Sequence, residues 1–332
     1  MKDAQVEWRR HALPDQTKGR QNGHDYDHVL PKKEWELNLW PGIRSGGPQP
    51  LPPYLTANDI QRHTGSHNLC SSWIVCANLF FPFRSPDGKE LLASFLRATL
   101  SSDIRSVEEI ELEYQDTRVP PSTLGETDGH RGSGQTSPDV AFQVRTESGS
   151  GVVLVECKFV EHSFYACSGR RKKDKDGRTP NPNPSRCLHY NSVLGAPSTQ
   201  CHLAESWGRR YWEFLGPVAS ADAASHLTSC PAAFAGYQLV RQHALAEAIA
   251  ASDGSPLVCS AVAYDARNTG LMRSMSHSTG LEDISKDWAS LFGGRARFKV
   301  FTHQSWVKWV GDHDGAGKWA DWLHYVRSRY AF

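Results

Sequence analysis

The sequence lacks long hydrophobic runs and has almost no excess of charge. No apolar stretch approaches the roughly 20 residues that a membrane-spanning helix requires, and the opening residues, MKDAQVEWRR, contain no apolar core of a secretion signal. The formal net charge is only +1, so any surface that binds nucleic acid must be local. These absences predict a cytoplasmic protein without a membrane anchor.

The cysteines lack the spacing of the common metal-binding motifs. The chain has 8 cysteines, which in a cytoplasmic protein are more often free thiols or metal ligands than disulfides. Cys167, Cys187 and Cys201, with His202 directly after the last, could hold a structural zinc ion or an iron–sulfur cluster. Their spacing fits neither the C-x₂-C pattern nor the clustered iron–sulfur runs, and buried free thiols are the alternative. Four further cysteines stand in apolar stretches and are expected in the core: Cys70, Cys76, Cys230 and Cys259.

At 332 residues, the chain is long enough for one large domain or two small ones. Its first part is polar and rich in proline, and the run LNLWPGIRSGGPQPLPPYL is typical of an extended connection rather than a helix. We therefore expect residues 1–60 to form an extended arm that packs on a domain formed by residues 61–332.

The order of the elements predicted in that domain indicates an α/β fold. Apolar residues at helical spacing predict a helix that Ser66 caps and a second helix after a turn at Pro86–Gly88. Alternating apolar residues then predict three strands, of which the last two form a hairpin over the turn ESGSG. A helix within residues 233–250 and two further strands follow. This order predicts a mixed central β-sheet flanked by helices.

Two opposite charges interrupt the apolar strand VVLVECKFV. Burying charges is expensive unless they are paired or bind a ligand. Side chains alternate across a strand, so Glu156 and Lys158 share one face while their sequence neighbours pack into the core. The predicted hairpin brings Asp139, which follows Pro138, beside Glu156. Two carboxylates and one lysine are therefore expected to converge.

Pro138–Asp139 and Glu156–Cys157–Lys158, separated by a hairpin, resemble the signature of the PD-(D/E)xK nuclease superfamily. The resemblance extends from about Leu91 to Ala248 and is nearest to the restriction-endonuclease-like branch. It implies a restriction-endonuclease-like core and a metal-dependent endonuclease that hydrolyses phosphodiester bonds in DNA. It also implies a role in restriction or defence against foreign DNA, and a homodimer in which each site cuts one strand.

The resemblance assigns roles to individual residues. Asp139, Glu156 and the backbone carbonyl of Cys157 would hold Mg²⁺ or Mn²⁺, which prefer oxygen ligands. Lys158 would orient or deprotonate the attacking water, or neutralise the phosphate. The superfamily often adds a further acidic residue, for which Glu113 is the first choice as a catalytic residue and metal ligand. Two other acidic residues are the alternatives to it: Glu111 and Glu90.

Other polar residues are expected around this site. Gln238, Arg241 and Gln242 lie at i, i+3 and i+4 of the later helix, so they share one face. The resemblance implies that this face points toward the phosphates, with Gln238 among the catalytic residues and the other two binding nucleic acid. His63 and His67 are expected near the start of the first helix, or alternatively in the site.

A basic stretch, SGRRKKDKDGRTPNPNPSR, follows the catalytic strand at residues 168–186. Arg170, Arg171, Lys172 and Lys173 could grip phosphates regardless of base sequence. A solvated surface loop is the alternative interpretation.

Two other classes of function compete with the nuclease hypothesis. The first is a non-cleaving protein on the same fold that binds nucleic acid or supports assembly. The second is a protein organised by a structural metal on its cysteines. The presence of Asp139, Glu156 and Lys158 together argues against the first, because a protein that does not cleave has no physical need for all three.

Overall fold

The computed structural model of the chain describes residues 1–127, 129–171, 177–252 and 254–332, without the side chains of Ser278 and Ser285. Its strands form a small hairpin near the N-terminus and one larger sheet. The strands are β1 (Gly19–Gln21), β2 (His24–Tyr26), β3 (Ile104–Leu112), β4 (Val140–Thr146), β5 (Gly149–Lys158), β6 (Val258–Tyr264) and β7 (Arg297–Thr302).

The helices range from single turns to four turns in length, and none of those described is long and apolar enough to span a bilayer. The α-helices are α1 (Lys2–Ala12), α2 (Leu51–Ala57), α3 (Ser72–Phe80), α4 (Pro86–Thr99), α5 (Tyr190–Gly195), α6 (Pro197–Gln200), α7 (His202–Trp207), α8 (Tyr211–Leu215), α9 (Ala221–Ser225), α10 (Tyr237–Ala251), α11 (Thr269–Thr279), α12 (Ile284–Leu291), α13 (His303–His313) and α14 (Ala320–Tyr330). Short 3₁₀ segments connect several of them.

The larger sheet is mixed and has the strand order β3–β4–β5–β6–β7 among the described residues. Strand β4 pairs antiparallel with β3 and β5, whereas β6 pairs parallel with β5 and β7. The β4–β5 pair is the predicted hairpin, closed where Thr146 pairs with Gly149. Helix α4 precedes these strands and α10 separates β5 from β6, in the predicted order. The prediction of an α/β fold with a mixed central sheet flanked by helices is therefore confirmed.

The sheet separates two hydrophobic cores. On one face, Val155 and Cys157 of β5 pack with residues of α3, α4, α13 and α14. On the other face, Leu154 packs with residues of α10, α11 and α12. Glu156 and Lys158 continue the row of Leu154 because side chains alternate along the strand. The two charges therefore lie on the face that α10 covers.

Two helix starts differ from prediction because of capping. Helix α3 begins at Ser72 rather than near Ser66, and the side chain of Ser71 accepts a backbone hydrogen bond of its first turn. Pro86 was predicted in a turn but is the first residue of α4, where Ser85 is the N-cap. Proline is tolerated there because its missing N–H would have no partner within the helix.

The first 60 residues are not extended throughout. They include α1 and α2 as well as the β1–β2 hairpin. Helix α2 falls within the stretch that its prolines predicted to be extended, and Pro52 and Pro53 stand in its first turn, where proline does not break a helix. The division of the chain at residue 60 stays a prediction.

Arg329 of α14 anchors this N-terminal segment on the rest of the chain. The residue is 1% exposed, and its guanidinium donates to the Asn38 carbonyl at 2.5 Å and to Oε1 of Gln5 at 3.4 Å. The Gln5 amide donates back to the Arg329 carbonyl at 2.7 Å, and the guanidinium lies 4.5 Å from the centre of a Trp8 ring. Hydrogen bonds to neutral acceptors and an aromatic face thus compensate for burying the charge.

Arg329→Ala should lower the free energy of unfolding by about 2–4 kcal/mol, because buried acceptors lose their donor and a cavity replaces the guanidinium. Urea denaturation measures the difference. Arg327→Ala is the matched control, because Arg327 is exposed on the same helix and should change stability by less than about 0.5 kcal/mol. Equal stabilities for the two variants would contradict the anchoring role.

Candidate active site

The charged residues of β5 meet Asp139 at one end of the sheet. Val140 pairs with Val155, so the register continued by one residue sets Asp139 opposite Glu156. Oδ2 of Asp139 accepts a hydrogen bond from the Cys157 N–H at 2.7 Å. This bond ties the residue before β4 to the end of β5 and orients the carboxylate.

Lys158 is buried against Glu156. Its Nζ donates to Oε1 of Glu156 at 2.7 Å, and the two side chains are 2% and 6% exposed. Gln238, near the start of α10, donates from Nε2 to the same oxygen at 2.6 Å. The first turn of α10 is itself held by hydrogen bonds from its backbone N–H groups to the carbonyls of Phe164 and Tyr165. The Lys158 ammonium and the Gln238 amide therefore both hold the Glu156 carboxylate in place.

Glu113 enters the site because the chain turns sharply where β3 ends. Its φ is 48°, in the left-handed region that is uncommon for residues other than glycine. The Glu113 N–H donates to the Asp139 carbonyl at 3.1 Å, and Arg131 Nε donates to the Glu113 carbonyl at 2.7 Å. Gly132 lies against the side chain: an added Cβ would stand 3.4 Å from Cδ of Glu113 and 2.7 Å from the Gln61 carbonyl oxygen. Glycine is therefore needed beside this carboxylate.

These side chains line one cavity of about 200 Å³. Its charged and aromatic lining residues include Trp73, Glu113, Asp139, Glu156, Lys158, Glu161, Tyr165 and Arg241. Four carboxylic acids thus face a lysine and an arginine in a confined space. Such an arrangement favours the binding of a cation.

Burial and neighbouring negative charge raise the pKa of two carboxylic acids in the cavity, Asp139 and Glu113. Burial, followed by the charge on Glu156, raises the pKa of Asp139 well above its usual range. Burial raises the pKa of Glu113 in the same way, and the nearby Asp139 and Glu156 add to the effect. Without a cation, protonation is therefore favoured, and a bound divalent ion would relieve the repulsion.

Lys158 shows the opposite balance of effects. Burial alone would lower its pKa, but the negative charges of Glu156, Glu161 and Asp139 outweigh burial and raise its pKa above the usual lysine range. The side chain is therefore an ammonium ion at neutral pH, able to donate hydrogen bonds but unable to accept a proton.

The oxygen donors fit Mg²⁺ or Mn²⁺. Oδ1 of Asp139 and Oε2 of Glu156 accept no hydrogen bond from the described residues, so each carboxylate keeps an oxygen for a cation. Within that part of the chain, no three His, Cys, Asp or Glu side chains are grouped closely enough to hold a metal ion. Mg²⁺ commonly takes only one or two carboxylates and keeps several waters, so Asp139 and Glu156 satisfy its needs. Direct ligation by Glu113 stays a prediction.

Helix α10 presents only part of its predicted polar face to the cavity. Gln238 and Arg241 line it, and the Arg241 guanidinium also pairs with Glu126 at 3.3 Å. Gln242 does not reach it: its side chain is 2% exposed and donates to the Ala261 carbonyl at 3.0 Å. The structure does not support the predicted contact of Gln242 with nucleic acid. Helix α10 crosses the sheet, and one turn after Gln238 it already packs on the strands.

The alternative carboxylates lie elsewhere. Glu111 lines a different cavity and pairs with Arg131 at 3.3 Å, and Glu90 is exposed on α4. Of the three acidic residues considered from the sequence, Glu113 is the one that lines the cavity with Asp139.

Glu161 and Tyr165 are among the lining residues that were not expected from the sequence. Glu161 accepts a hydrogen bond from the Phe159 N–H at 3.0 Å, and Tyr165 lies a few residues farther along. The sequence feature that could have indicated these two residues is their closeness to the end of β5. His63 also lines the cavity, whereas His67 is buried elsewhere, and neither stands at the start of α3.

The basic stretch is described only in part. Arg170 and Arg171 line a groove beside the cavity, and Arg241 lines both. Lys172 and Lys173 lie outside the described residues, so their predicted contacts with nucleic acid stay predictions.

Several cysteines surround a small apolar cavity of about 20 Å³. Its sulfur-bearing lining residues are Cys167, Cys187, Cys201 and Cys230, the last of which was predicted in the general core. His202 lines it too, but its Nε2 lies 2.8 Å from the Thr179 carbonyl oxygen and its Nδ1 3.1 Å from Ser206 Oγ. Because no three such ligands are grouped for a metal among the described residues, the arrangement does not support the zinc or iron–sulfur hypothesis.

Asp139→Asn should stabilise the metal-free protein, and more so at pH 8 than at pH 5. Because the folded-state pKa of Asp139 is raised, the folded protein keeps a proton that the unfolded chain releases above about pH 4. The free energy of unfolding therefore falls as the pH rises from about 4 toward the raised pKa of Asp139. An amide does not titrate, so the variant does not lose this stability. Thermal midpoints in EDTA measure the effect.

Mg²⁺ or Mn²⁺ should then raise the midpoint of the wild type and leave that of Asp139→Asn almost unchanged, because the variant lacks a ligand. Glu90→Gln is the control, since it alters an exposed carboxyl and should affect neither measurement. An Asp139→Asn protein that is less stable than the wild type at both pH values in EDTA would contradict the assignment.

A family model described as "Restriction Endonuclease associating with ARP" matches residues 2–331. No curated protein and no solved structure matches. The mixed sheet with flanking helices is consistent with a restriction-endonuclease-like fold. The chain therefore belongs to the REase-ARP family, the restriction endonucleases described as associating with ARP.

Proposed function

We propose that this protein is a divalent-metal-dependent endonuclease that hydrolyses phosphodiester bonds in DNA. One observation carries the proposal: Asp139, Glu156 and Lys158, which resemble the PD-(D/E)xK signature, line one cavity at the end of β5. Membership of a restriction-endonuclease family supports a nuclease role. Hydrolysis requires an activated water and stabilisation of negative charge on the phosphate, and the cavity offers oxygen ligands and an ammonium for these tasks.

The carboxylates would hold the metal. Asp139 and Glu156 would bind Mg²⁺ or Mn²⁺ together with the Cys157 carbonyl, and Glu113 would add a further acidic group. When bound, such an ion lowers the pKa of a coordinated water and stabilises charge that develops on the phosphate. The Cys157 N–H and the Gln238 amide each engage one carboxylate oxygen, and so orient the other for the cation.

Lys158 would act as a cation rather than as a base. Its raised pKa keeps the ammonium charged at neutral pH, so it has no lone pair with which to deprotonate water. It can instead orient the attacking water by a hydrogen bond or neutralise a phosphate oxygen in the transition state. The negative charges of Glu156, whose Oε1 lies 2.7 Å from Nζ, and of Glu161 and Asp139 maintain this state.

The competing functions receive less support from the site. A protein that only binds DNA would gain nothing from placing a buried lysine among four carboxylic acids, because burial of charge is costly. A protein organised by a structural metal would need a group of ligands that is not found among the described residues around the cysteine cavity.

The biological setting is also a proposal. We infer a role in restriction or defence against foreign DNA, and association with the ARP partner that the family description mentions. Two copies of the chain would allow each site to cut one strand of a duplex, which favours a homodimer.

Purified protein should cleave plasmid DNA with Mg²⁺ or Mn²⁺ and not with EDTA. Glu156→Gln and Lys158→Ala should each lower the cleavage rate by about 100-fold or more, because each removes a charge that acts on the metal or on the phosphate. Glu90→Gln should keep the wild-type rate, because this exposed carboxyl lies on α4 and does not line the cavity. Circular dichroism would verify folding, and wild-type rates in both site variants would refute the mechanism.

The basic stretch should supply affinity that is independent of base sequence. Replacing Arg170, Arg171, Lys172 and Lys173 with Gln should weaken binding to all DNA sequences alike and reduce the salt dependence by up to about four phosphate contacts. Fluorescence anisotropy over a range of salt concentrations measures this slope, and cleavage at saturating enzyme should persist. An unchanged slope would identify the stretch as a solvated loop.

A further inference from the structure

A groove of about 630 Å³ adjoins the catalytic cavity. Tyr165, Gln238 and Arg241 line both spaces, so the groove leads directly to the candidate active site. Its described lining includes Arg170, Arg171 and Arg241, and no acidic residue of that part of the chain lines it. The cavity thus suits a cation, whereas the groove suits the phosphates of a nucleic acid strand.

Tyr165 stands where the groove meets the cavity with an exposed ring and a fixed backbone. The residue is 53% exposed, which makes it one of the few large hydrophobic residues on the described surface. Its carbonyl accepts a hydrogen bond from the Tyr237 N–H at 3.1 Å, and its own N–H lies 3.3 Å from Ser163 Oγ. Its φ of 58° is unfavourable for a residue with a side chain. An exposed ring on a strained backbone adds nothing to the core, which points to a role in binding.

The position of the ring relates it to the catalytic lysine. Nζ of Lys158 lies 5.6 Å from the centre of the Tyr165 ring. Tyr165 also lines the cavity that holds Lys158, Asp139 and Glu156, so a planar group that stacks on this ring would be bound at the edge of that cavity. A nucleotide base is such a group, and it belongs to the same molecule as the phosphate.

We propose that Tyr165 stacks on an unpaired base beside the scissile phosphate, while Arg170 and Arg171 contact the same strand. This inference rests on the proposed nuclease function and specifies its substrate. A base inside an intact duplex already stacks on neighbours on both faces, so neither face is available to the ring. The nucleotide in the groove is therefore single-stranded, frayed or flipped out of the duplex. Stacking of this kind does not depend on base identity.

Binding of labelled oligonucleotides in EDTA, where no cleavage occurs, tests the proposal. The probes are a single strand and a fully paired duplex of the same length, measured by fluorescence anisotropy. Wild-type protein should prefer the single strand. Tyr165→Ala should weaken single-strand binding about 5- to 100-fold and change duplex binding less than about two-fold, because one base–ring stack is lost.

Two further variants separate stacking from other roles of Tyr165. Tyr165→Phe keeps the ring and should retain the preference for the single strand. Leu188→Ala changes another exposed apolar residue that lines neither space, and should bind both probes as the wild type does. Equal losses on both probes in Tyr165→Ala, no loss on either, or equal damage by Tyr165→Phe would each overturn the proposal. A tyrosine that merely positions Lys158 would give no loss on either probe.

Cleavage by the wild type distinguishes failure of this inference from failure of the proposed function. An enzyme that cuts DNA with Mg²⁺, but binds the single strand unchanged in Tyr165→Ala, overturns the stacking role alone. A wild-type protein that cuts neither probe with Mg²⁺ or Mn²⁺ overturns the nuclease function, on which the stacking role depends.

Discussion

The buried ion pair between Lys158 and Glu156 is the interaction on which the candidate site depends. Both charges stand on the strand face whose preceding residues pack into the hydrophobic core beneath α10. Neither charge would be tolerated there alone, because removing one partner leaves the other buried without compensation. The neighbouring elements complete the compensation: the hairpin adds Asp139, and α10 adds the Gln238 amide. The sheet topology thus places beside the ion pair the same groups that its electrostatics require.

The separation of charge between cavity and groove would allow a nearly neutral chain to bind a polyanion at one place on its surface. Carboxylic acids gather in the cavity, where burial, together with repulsion from neighbouring carboxylates, raises the pKa of Asp139 and Glu113, and a cation would relieve the repulsion. Arginines line the adjoining groove. The formal charge of +1 averages over these opposite regions and therefore conceals both of them.

Strand periodicity made part of the site predictable from the sequence. Alternation with a period of two placed Glu156 and Lys158 on one face, and a hairpin turn was enough to set Asp139 beside them. Helix periodicity predicted less of the site, because it shows which residues share a face of the helix but not where the helix crosses the sheet. Gln238 and Gln242 share a face of α10, yet one meets Glu156 and the other packs on the strands.

Residues on irregular backbone could not be predicted in this way. Alternation along β3 gives Glu113 the same outward direction as Glu111, and only its positive φ turns it into the cavity. Glu161 and Tyr165 follow β5 on segments that have no period from which a direction could be read. In many proteins, rigid strands hold the reactive groups, whereas the connecting segments vary in sequence and determine what is bound. In this chain, β4 and β5 position Asp139, Glu156 and Lys158, whereas the segment at 159–171 contributes Tyr165, Arg170 and Arg171 to the groove. A change of substrate preference is therefore expected to arise in that segment, without any change in Asp139 or the charged pair of β5.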